Sequence, residues 1–345
     1  MPAVQVLPRT IHQRWSEAPE QYRLPEQRDC QFSKVSARGR GFEIFTGLTG
    51  KGLGLNTFSL YMQFIISGLT MGAIYAMVGI GFSFIYKVTT VLNFAQGEFL
   101  MLGGMVAVSV SSVCGSCLPV AVVCAILAVT VTGMLFYLGA VRTLGKAEPV
   151  RIILITIAGS MFFQGVAYLV WGTDDYRLPP LVKAGTINIA GAVINSQVIP
   201  VFSAAIIITI ILKIFFDKTI WGKASTSCAE SREASMLMGI NVDRMAMLSF
   251  AMSAGIGAIG GILIAPISLI QYQKGIPLAL KGIAGAVIGG LGNVWGALIG
   301  GLIIGLAESL SGGLIASYLT DVVVFVILVL VLIIKPEGLL TFKNK

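Results

Sequence analysis

Charge is scarce in this chain, and it is missing in long blocks. Residues 60–141 carry only Lys87 and Glu98, and residues 245–334 carry only Lys274, Lys281, Glu308 and Asp321. Over 345 residues the charged fraction is 12% and the hydrophobic fraction 56%, against about 25% charged in a typical soluble domain. An ordinary water-soluble globule is therefore excluded. Histidine occurs once, as His12 in a polar N-terminal stretch, which excludes a histidine-based metal site or catalytic triad in the apolar region. Of the five cysteines, only Cys114 and Cys117 form a C-x-x-C. With no second pair and no nearby histidine, they read as small residues at a helix end rather than as a redox or metal site. No phosphate loop exists: Gly145-Lys146 is followed by alanine and Gly50-Lys51 by glycine, so the chain does not bind nucleotide through that motif. No paired carboxylates and no Ser/His/Asp set suggest hydrolysis, and embedded charges are too few for a proton relay. The chain is expected to be no enzyme and to hold no cofactor or metal. The net charge of +8 comes without an aromatic-interleaved basic patch, so nucleic acid is not an expected partner.

What is present is a succession of apolar runs, at about 60–86, 93–113, 118–141, 150–171, 198–216, 245–270, 281–309 and 316–334. A helix needs about 20 residues to cross a bilayer, and most of these runs qualify. The expected fold is all-α, a polytopic membrane protein with about 8–10 transmembrane helices, some of them glycine-rich and broken or re-entrant. Residues 1–57, with eight Lys or Arg, five Asp or Glu and four prolines, read as a polar, disordered extension. They lack the apolar core of a secretory signal, and Met62 offers an alternative start. Residues 58–345 form the membrane domain.

Between the two apolar halves lies a polar island, residues 217–244 with Lys218, Lys223, Arg232 and Arg244. Such a segment stays out of hydrocarbon unless protein or a wet cavity covers it, and its basic residues, like Arg142, Lys146 and Arg151, place it in the cytoplasm. Residues 172–197 then fall on the other side. The lysines of the C-terminal tail, Lys335, Lys343 and Lys345, also suit the cytoplasm. The path from island to tail must then cross an even number of times, whereas three apolar runs are counted. Splitting 281–309 at Gly290, Gly292 and Asn293 resolves the parity, because a broken helix at membrane depth can line a substrate path. One long kinked helix is the alternative, and 60–86 carries a similar ambiguity at Gly79 and Gly81. Glycines four apart (Gly68/Gly72, Gly257/Gly261, Gly285/Gly289, Gly301/Gly305) supply smooth faces for helix contact.

Two segments carry candidate chemistry. In the first, Asn93, Gln96, Gly97 and Glu98 interrupt an apolar environment. Ionisable groups inside a membrane are functional by default, which makes these candidates for lining the translocation path together with Gly290, Gly292 and Asn293. The competing reading is a well-built helix start, with Asn93 as cap and Gln96 closing a capping box. In the second, Ala229–Met238 is expected to form one short helix stopped by Gly239. With Glu230, Arg232, Glu233, Ala234, Asp243 and Arg244 around it, this helix would give a soluble partner a mechanical handle. Gln164, Glu308 and Asp321 read as isolated interfacial or capping residues.

Several segments resemble one family. GLTMGAIYAMVGIGFSFIYKVTTVLNFAQGEFLMLGG (68–104), RIILITIAGSMFFQGVAYLVWG (151–172) with LPPL, CAESREASMLMGINVDR (228–244), AVIGGLGNVWGALIGGLIIGLAESL (286–310) and the closing DVV…LIIKPEGL (321–339) are similar, in the same order, to the LivH-type permease of branched-chain amino-acid ABC importers. The resemblance implies a type II importer permease, like that for cobalamin, in the bacterial inner membrane. It implies as partners a second permease chain in a heterodimer, two ATPase subunits that hold ATP and Mg, and an extracytoplasmic solute-binding protein. Residues 230–244 would be the helix that couples to the ATPases. The solute would be an amino acid, branched-chain by the family's archetype. The alternative is a stand-alone carrier or channel for a small polar solute such as urea or an amide. A transport-inactive membrane scaffold is a third reading. Family members commonly have histidine where Gln96 stands, and the N-terminal extension is not part of the pattern.

Overall fold

The first described helix, α1 (Thr57–Thr89), lies at the centre of the packing. Its 33 residues span about 50 Å at 1.5 Å per residue, more than the roughly 30 Å hydrocarbon layer. From Ala73 to Ile85 its apolar side chains are essentially inaccessible, enclosed by α2 (Gln96–Val113), α8 (Val242–Ile264), α9 (Gly275–Gly289) and α10 (Val294–Leu314). The computed structural model describes residues 57–113, 117–144, 149–182, 185–189, 192–314 and 317–340. Apart from Thr57, the expectation for residues 1–57 lies outside them, as does Cys114.

The remaining elements are α3 (Leu118–Phe136), α4 (Pro149–Trp171), a hairpin of β1 (Thr186–Ile189) and β2 (Ala192–Asn195), α5 (Val198–Lys218), α6 (Ile220–Glu230), α7 (Arg232–Leu237) and α11 (Thr320–Ile334). α3 runs on through a π-helical turn at Tyr137–Val141 and a 3-10 turn at Arg142–Leu144. Among the described residues seven helices are long and apolar enough to cross a membrane, namely α1–α5, α8 and α10, and α9 and α11 are shorter apolar helices. The all-α, multi-pass expectation holds, with one small hairpin added where residues 172–197 alternate polar and apolar side chains. Its strands pair antiparallel from Thr186↔Asn195 to Ile189↔Ala192.

Apolar side chains also cover the outside. Ile206, Ile207, Ile210, Ile211 and Ile214 of α5, and Val322, Phe325, Val326 and Val329 of α11, are all exposed. An apolar surface that continuous belongs against lipid or another chain.

The break between α9 and α10 falls where the sequence places it. α9 ends at Gly289, Gly290 (φ 103°) and Gly292 (φ 82°) take left-handed backbone, and the Asn293 Oδ1 accepts the Trp295 N–H at 3.1 Å. At 15 residues, α9 reaches about 22 Å, so it starts inside the layer. From the island, α8 runs out, α9 returns, α10 runs out and α11 returns. The described C-terminal residues end beside the joint, where the Leu339 and Leu340 N–H groups donate to the Ile288 and Gly289 carbonyls at 2.8 and 3.3 Å. At the opposite end Tyr176 and Ile270 exchange backbone hydrogen bonds at 3.0 and 2.9 Å, tying the segment after α4 to the α8–α9 turn.

Three local expectations are corrected. α1 does not break at Gly79 or Gly81, because these glycines admit neighbours: a Cβ on Gly79 would lie 2.9 Å from the Gly282 carbonyl oxygen, and one on Gly81 would strike the Gln96 amide. The run 245–270 stops being helix at Ile264: Ala265 keeps helical φ and ψ, but Pro266 has no N–H with which to continue the ladder. Residues 229–238 form two helices, because Ser231 (φ −153°, ψ 109°) leaves helical geometry to cap α7, accepting the Ala234 N–H at 3.2 Å.

The glycine spacing pays off at the α1–α10 seam. A Cβ on Gly68 would lie 2.8 Å from Ser309 Cβ, and one on Gly72 2.9 Å from Leu302 Cα. The two backbones approach as closely as small residues at every fourth position allow.

Candidate functional site

Residues 90–95 return into the protein. Thr90 turns the chain with φ 57°, the one non-glycine residue described with positive φ, and α2 then begins at Gln96. Gln96 reaches Ser253, 11 residues beyond Val242 on α8, about 16 Å along that helix. α2 therefore starts within the membrane layer. The Gln96 Nε2 donates to the Ser253 carbonyl at 3.0 Å, and the Ser253 hydroxyl lies 2.6 Å from Gln96 Oε1 and 2.8 Å from the Gly81 carbonyl. The carbonyl partner fixes the orientation of the amide, since the flipped form would set oxygen against oxygen. The capping-box reading of Gln96 is thereby overturned. It is the first helical residue and binds across to α8 rather than back to Asn93. Asn93 instead makes an Asx turn, its Oδ1 accepting the Ala95 N–H at 3.1 Å.

Glu98 is fully buried. Ser160 of α4 donates to its Oε1 at 3.0 Å, while Oε2 has no hydrogen-bond partner. Its carboxyl lies against Gly275, the first residue of α9, where a Cβ would come within 2.5 Å of Oε2. Lys274, at the α9 N-cap, provides no capping side chain. Glu98 thus stands in the first turn of its own helix and at the start of a second. The positive end of a helix dipole is found at both places, which favours an acidic residue there even in an apolar core. Gly97 makes the approach possible, because a side chain there would strike the Gly275 carbonyl and Ala279. α4 contributes a second residue one turn from Ser160: the Thr156 hydroxyl accepts the Phe94 N–H at 3.2 Å. Beneath this cluster a cavity of about 80 Å³ is lined by Leu92, Tyr137, Arg142, Thr156, Arg232 and Asp243, among others. It joins the re-entrant segment to the island.

Asn93, Gln96, Gly97 and Glu98 form one cluster. Gly290, Gly292 and Asn293 are not part of it. They lie at the island end beside Tyr86 and Lys87, where the Asn293 Nδ2 donates to the Leu340 carbonyl at 2.8 Å.

At the island, Glu230, Arg232, Glu233, Ala234, Gly239, Asp243 and Arg244 are all exposed. Gly239 takes φ 81°, and the Ile240 N–H donates to the Ser235 carbonyl at 3.0 Å, so α7 ends in the left-handed manner expected of it. Arg232 pairs with Asp243 at 3.4 Å, bracing α7 against the first turn of α8. Thr219 and Asn241 cap α6 and α8, fixing the angles at which the island joins its two spans. Burial pushes the Cys228 thiol of α6 above the usual cysteine range, with a hydrogen bond to Ser235 and the Arg232 charge opposing.

Two features escaped the sequence reading. The first is apolar exposure on the island, where Leu237 and Met238 are 89% and 82% exposed and Ile220 and Trp221 also face outward. The adjacent M-L-M residues 236–238 were a visible signal. The second is an embedded ion cluster. Lys281 of α9 pairs with Glu308 of α10 at 2.5 Å and with Asp321 of α11 at 3.1 Å, their side chains being 17%, 21% and 66% exposed. The Lys281 ammonium lies 5.7 Å from the Tyr75 ring centroid. Glu308 and Asp321 are therefore not isolated residues, and the membrane region does contain a charge pair.

Residues 64–332 match the family described as branched-chain amino acid transport system / permease component. The high-affinity branched-chain amino acid transport system permease protein LivH of Salmonella typhimurium is 31% identical over 297 residues, covering 82% of this chain and 96% of that protein. The corresponding BraD protein of Pseudomonas aeruginosa is 28% identical over 293 residues, covering 81% and 95%. A solved structure titled PsaBC from Streptococcus pneumoniae in complex with Fab aligns with TM-score 0.46 and 14% identity over 86% of this chain and 96% of that one; at that distance it decides nothing about the site. The chain belongs to the permease-component family of branched-chain amino acid transport systems.

Proposed function

We propose that this chain is the membrane permease subunit of an ATP-driven importer for amino acids, branched-chain ones in particular, in the bacterial cytoplasmic membrane. The observation that carries the reading is the α6–α7 segment. It stands outside the membrane-spanning helices, is tied by caps and an ion pair to the spans on either side, and presents charged and apolar side chains together. An exposed Leu-Met pair on a short polar helix suits a groove on a soluble partner. That partner would be an ATPase subunit, with ATP and Mg held there and not in this chain, which has no catalytic role. A second permease chain and an extracytoplasmic solute-binding protein complete the assembly. Movement of α7 would be passed to α5 through α6 and to α8 through Arg232–Asp243. The re-entrant cluster at Asn93–Glu98 and the joint at Gly290–Asn293 are two places where the path can open and close.

The test is uptake of radiolabelled leucine by cells carrying the whole system, with ATPase recovery on the tagged chain measured beside it. Glu233→Arg and Leu237→Asp are each expected to cut uptake more than tenfold and to lose the ATPase subunits, with membrane insertion unchanged. Normal uptake by both variants would end the coupling assignment. Leucine transport by the purified chain alone, without ATP, would end the importer reading.

A further inference from the structure

The island end holds a cleft of about 480 Å³. Its walls are the last turn of α1, the end of α5, Ala229 of α6 and the α9–α10 joint. Lys87 lies over the Phe216 ring, 4.1 Å from its centroid, and Lys213 lies 5.6 Å from the Trp295 centroid. Neither lysine is in a salt bridge; those among the described residues are Arg232–Asp243, Lys281–Glu308 and Lys281–Asp321. One carboxylate, Asp217, also lines the cleft, so two ammonium groups face one acid and the cleft remains net positive.

The apolar surface leading to it identifies the ligand. α5 presents Ile206, Ile207, Ile210, Ile211 and Ile214, between 43% and 56% exposed, along a face that runs toward the same end as Lys213. α10 packs beside α5 and adds exposed Ile299 and Trp295. Aliphatic side chains along a span, ending in lysines and a tryptophan at one end, match an amphiphile with its chains in the layer and its anionic head at the interface. Basic pockets between helices on the cytoplasmic side hold acidic lipid headgroups by this arrangement.

We propose that this cleft is the headgroup site of an acidic phospholipid from the leaflet on the island side. The phosphate sits between Lys87 and Lys213, Trp295 flanks the glycerol region, and the acyl chains follow the α5 isoleucines. A bound headgroup bridges α1, α5 and the α9–α10 joint, so its occupancy stabilises that joint whatever solute the protein carries.

The full chain is purified in a neutral detergent. Phosphatidylglycerol, phosphatidylcholine with the same acyl chains, and inorganic phosphate are added separately. Native mass spectrometry reads adducts and thermal unfolding reads stabilisation. The expected result is a single retained phosphatidylglycerol and a rise of several degrees in melting temperature, with phosphatidylcholine and phosphate both without effect. Lys213→Gln, at an exposed position where folding is not at risk, should weaken phosphatidylglycerol retention at least fivefold. Lys213→Arg should keep it, and so should Lys223→Gln, which lies outside the cleft. Equal retention of both lipids, or unchanged retention in Lys213→Gln, overturns the proposal. Stabilisation by inorganic phosphate alone overturns the lipid assignment in favour of a free-anion site.

Discussion

Replacing Lys281 by methionine should be among the more damaging single changes in the membrane region. The substitution preserves most of the side-chain volume and removes the charge. It strands Glu308, whose Oε1 loses its partner at 2.5 Å and whose Oε2 already has none. At an effective dielectric of about 20, unit charges 4 Å apart attract by roughly 4 kcal/mol, but the cost of dehydrating both ions offsets most of that in the folded protein. Breaking such a pair leaves the dehydration cost without the attraction, and the expected loss is about 3 kcal/mol. Asp321 is two-thirds exposed, so Asp321→Asn should cost under about 1 kcal/mol. The double variant Lys281→Met/Glu308→Gln removes both ions and should recover about 2 kcal/mol relative to the sum of the two singles, the signature of a coupled pair. Unfolding by SDS titration in mixed micelles, followed by tryptophan fluorescence, reads all four. A Lys281→Met loss no greater than that of Asp321→Asn would refute the argument, since the cluster would then behave as an exposed pair.

Gln96→Leu removes the amide's hydrogen bond to the Ser253 carbonyl, an oxygen the α8 ladder also serves, and its contact with the Ser253 hydroxyl, and should cost about 1 kcal/mol for each buried bond lost in the same assay; Gln96→Asn should not rescue it, being one methylene too short. Gly301→Leu would drive a side chain into the Ala76 backbone and is expected to cost about 3 kcal/mol through overpacking, seen as loss of the monodisperse peak on size exclusion. Gly165→Ala, with open space around it, should elute normally. Cys228, its thiol raised by burial, holds less thiolate at pH 8 than an ordinary cysteine. Maleimide should label exposed Cys117 before buried Cys228, and raising the pH to 9.5 should speed the labelling of Cys228; equal rates at pH 8 would contradict the burial.

Signals that sit within a few residues of each other could be read without a structure. Gly290, Gly292 and Asn293 mark the helix break because glycine takes left-handed backbone and asparagine caps the next helix. Gly239 marks the end of α7 for the same reason. The Ser231 break was missed since serine is compatible with a short helix, and only its use as an N-cap decides the matter. Long-range pairings were invisible. Gln96 and Ser253 are 157 positions apart, and Lys281 and Glu308 are 27 apart on different helices, so neither spacing suggests contact. Glu98 stands out in the sequence as a polar intruder in an apolar run. That it stands at two helix starts at once depends on where α9 begins, which the apolar run 281–309 concealed by starting six residues too late.

The hydrogen bonds from Leu339 and Leu340 to the last carbonyls of α9 have a consequence for biosynthesis. Leu339 follows Ile288 by 51 positions, so the ribosome has made α10 and α11 before these bonds can form. During insertion the half-helix and its partner leave the translocon with carbonyls open and Asn293 without its Leu340 acceptor. The turn at Gly338, whose φ of 88° brings it against Gly290, then acts as a late clasp. An affinity tag is best separated from Leu340 by a flexible spacer. A nascent chain stopped short of Leu339 would expose the joint to quality-control proteases, even with every spanning helix already in place.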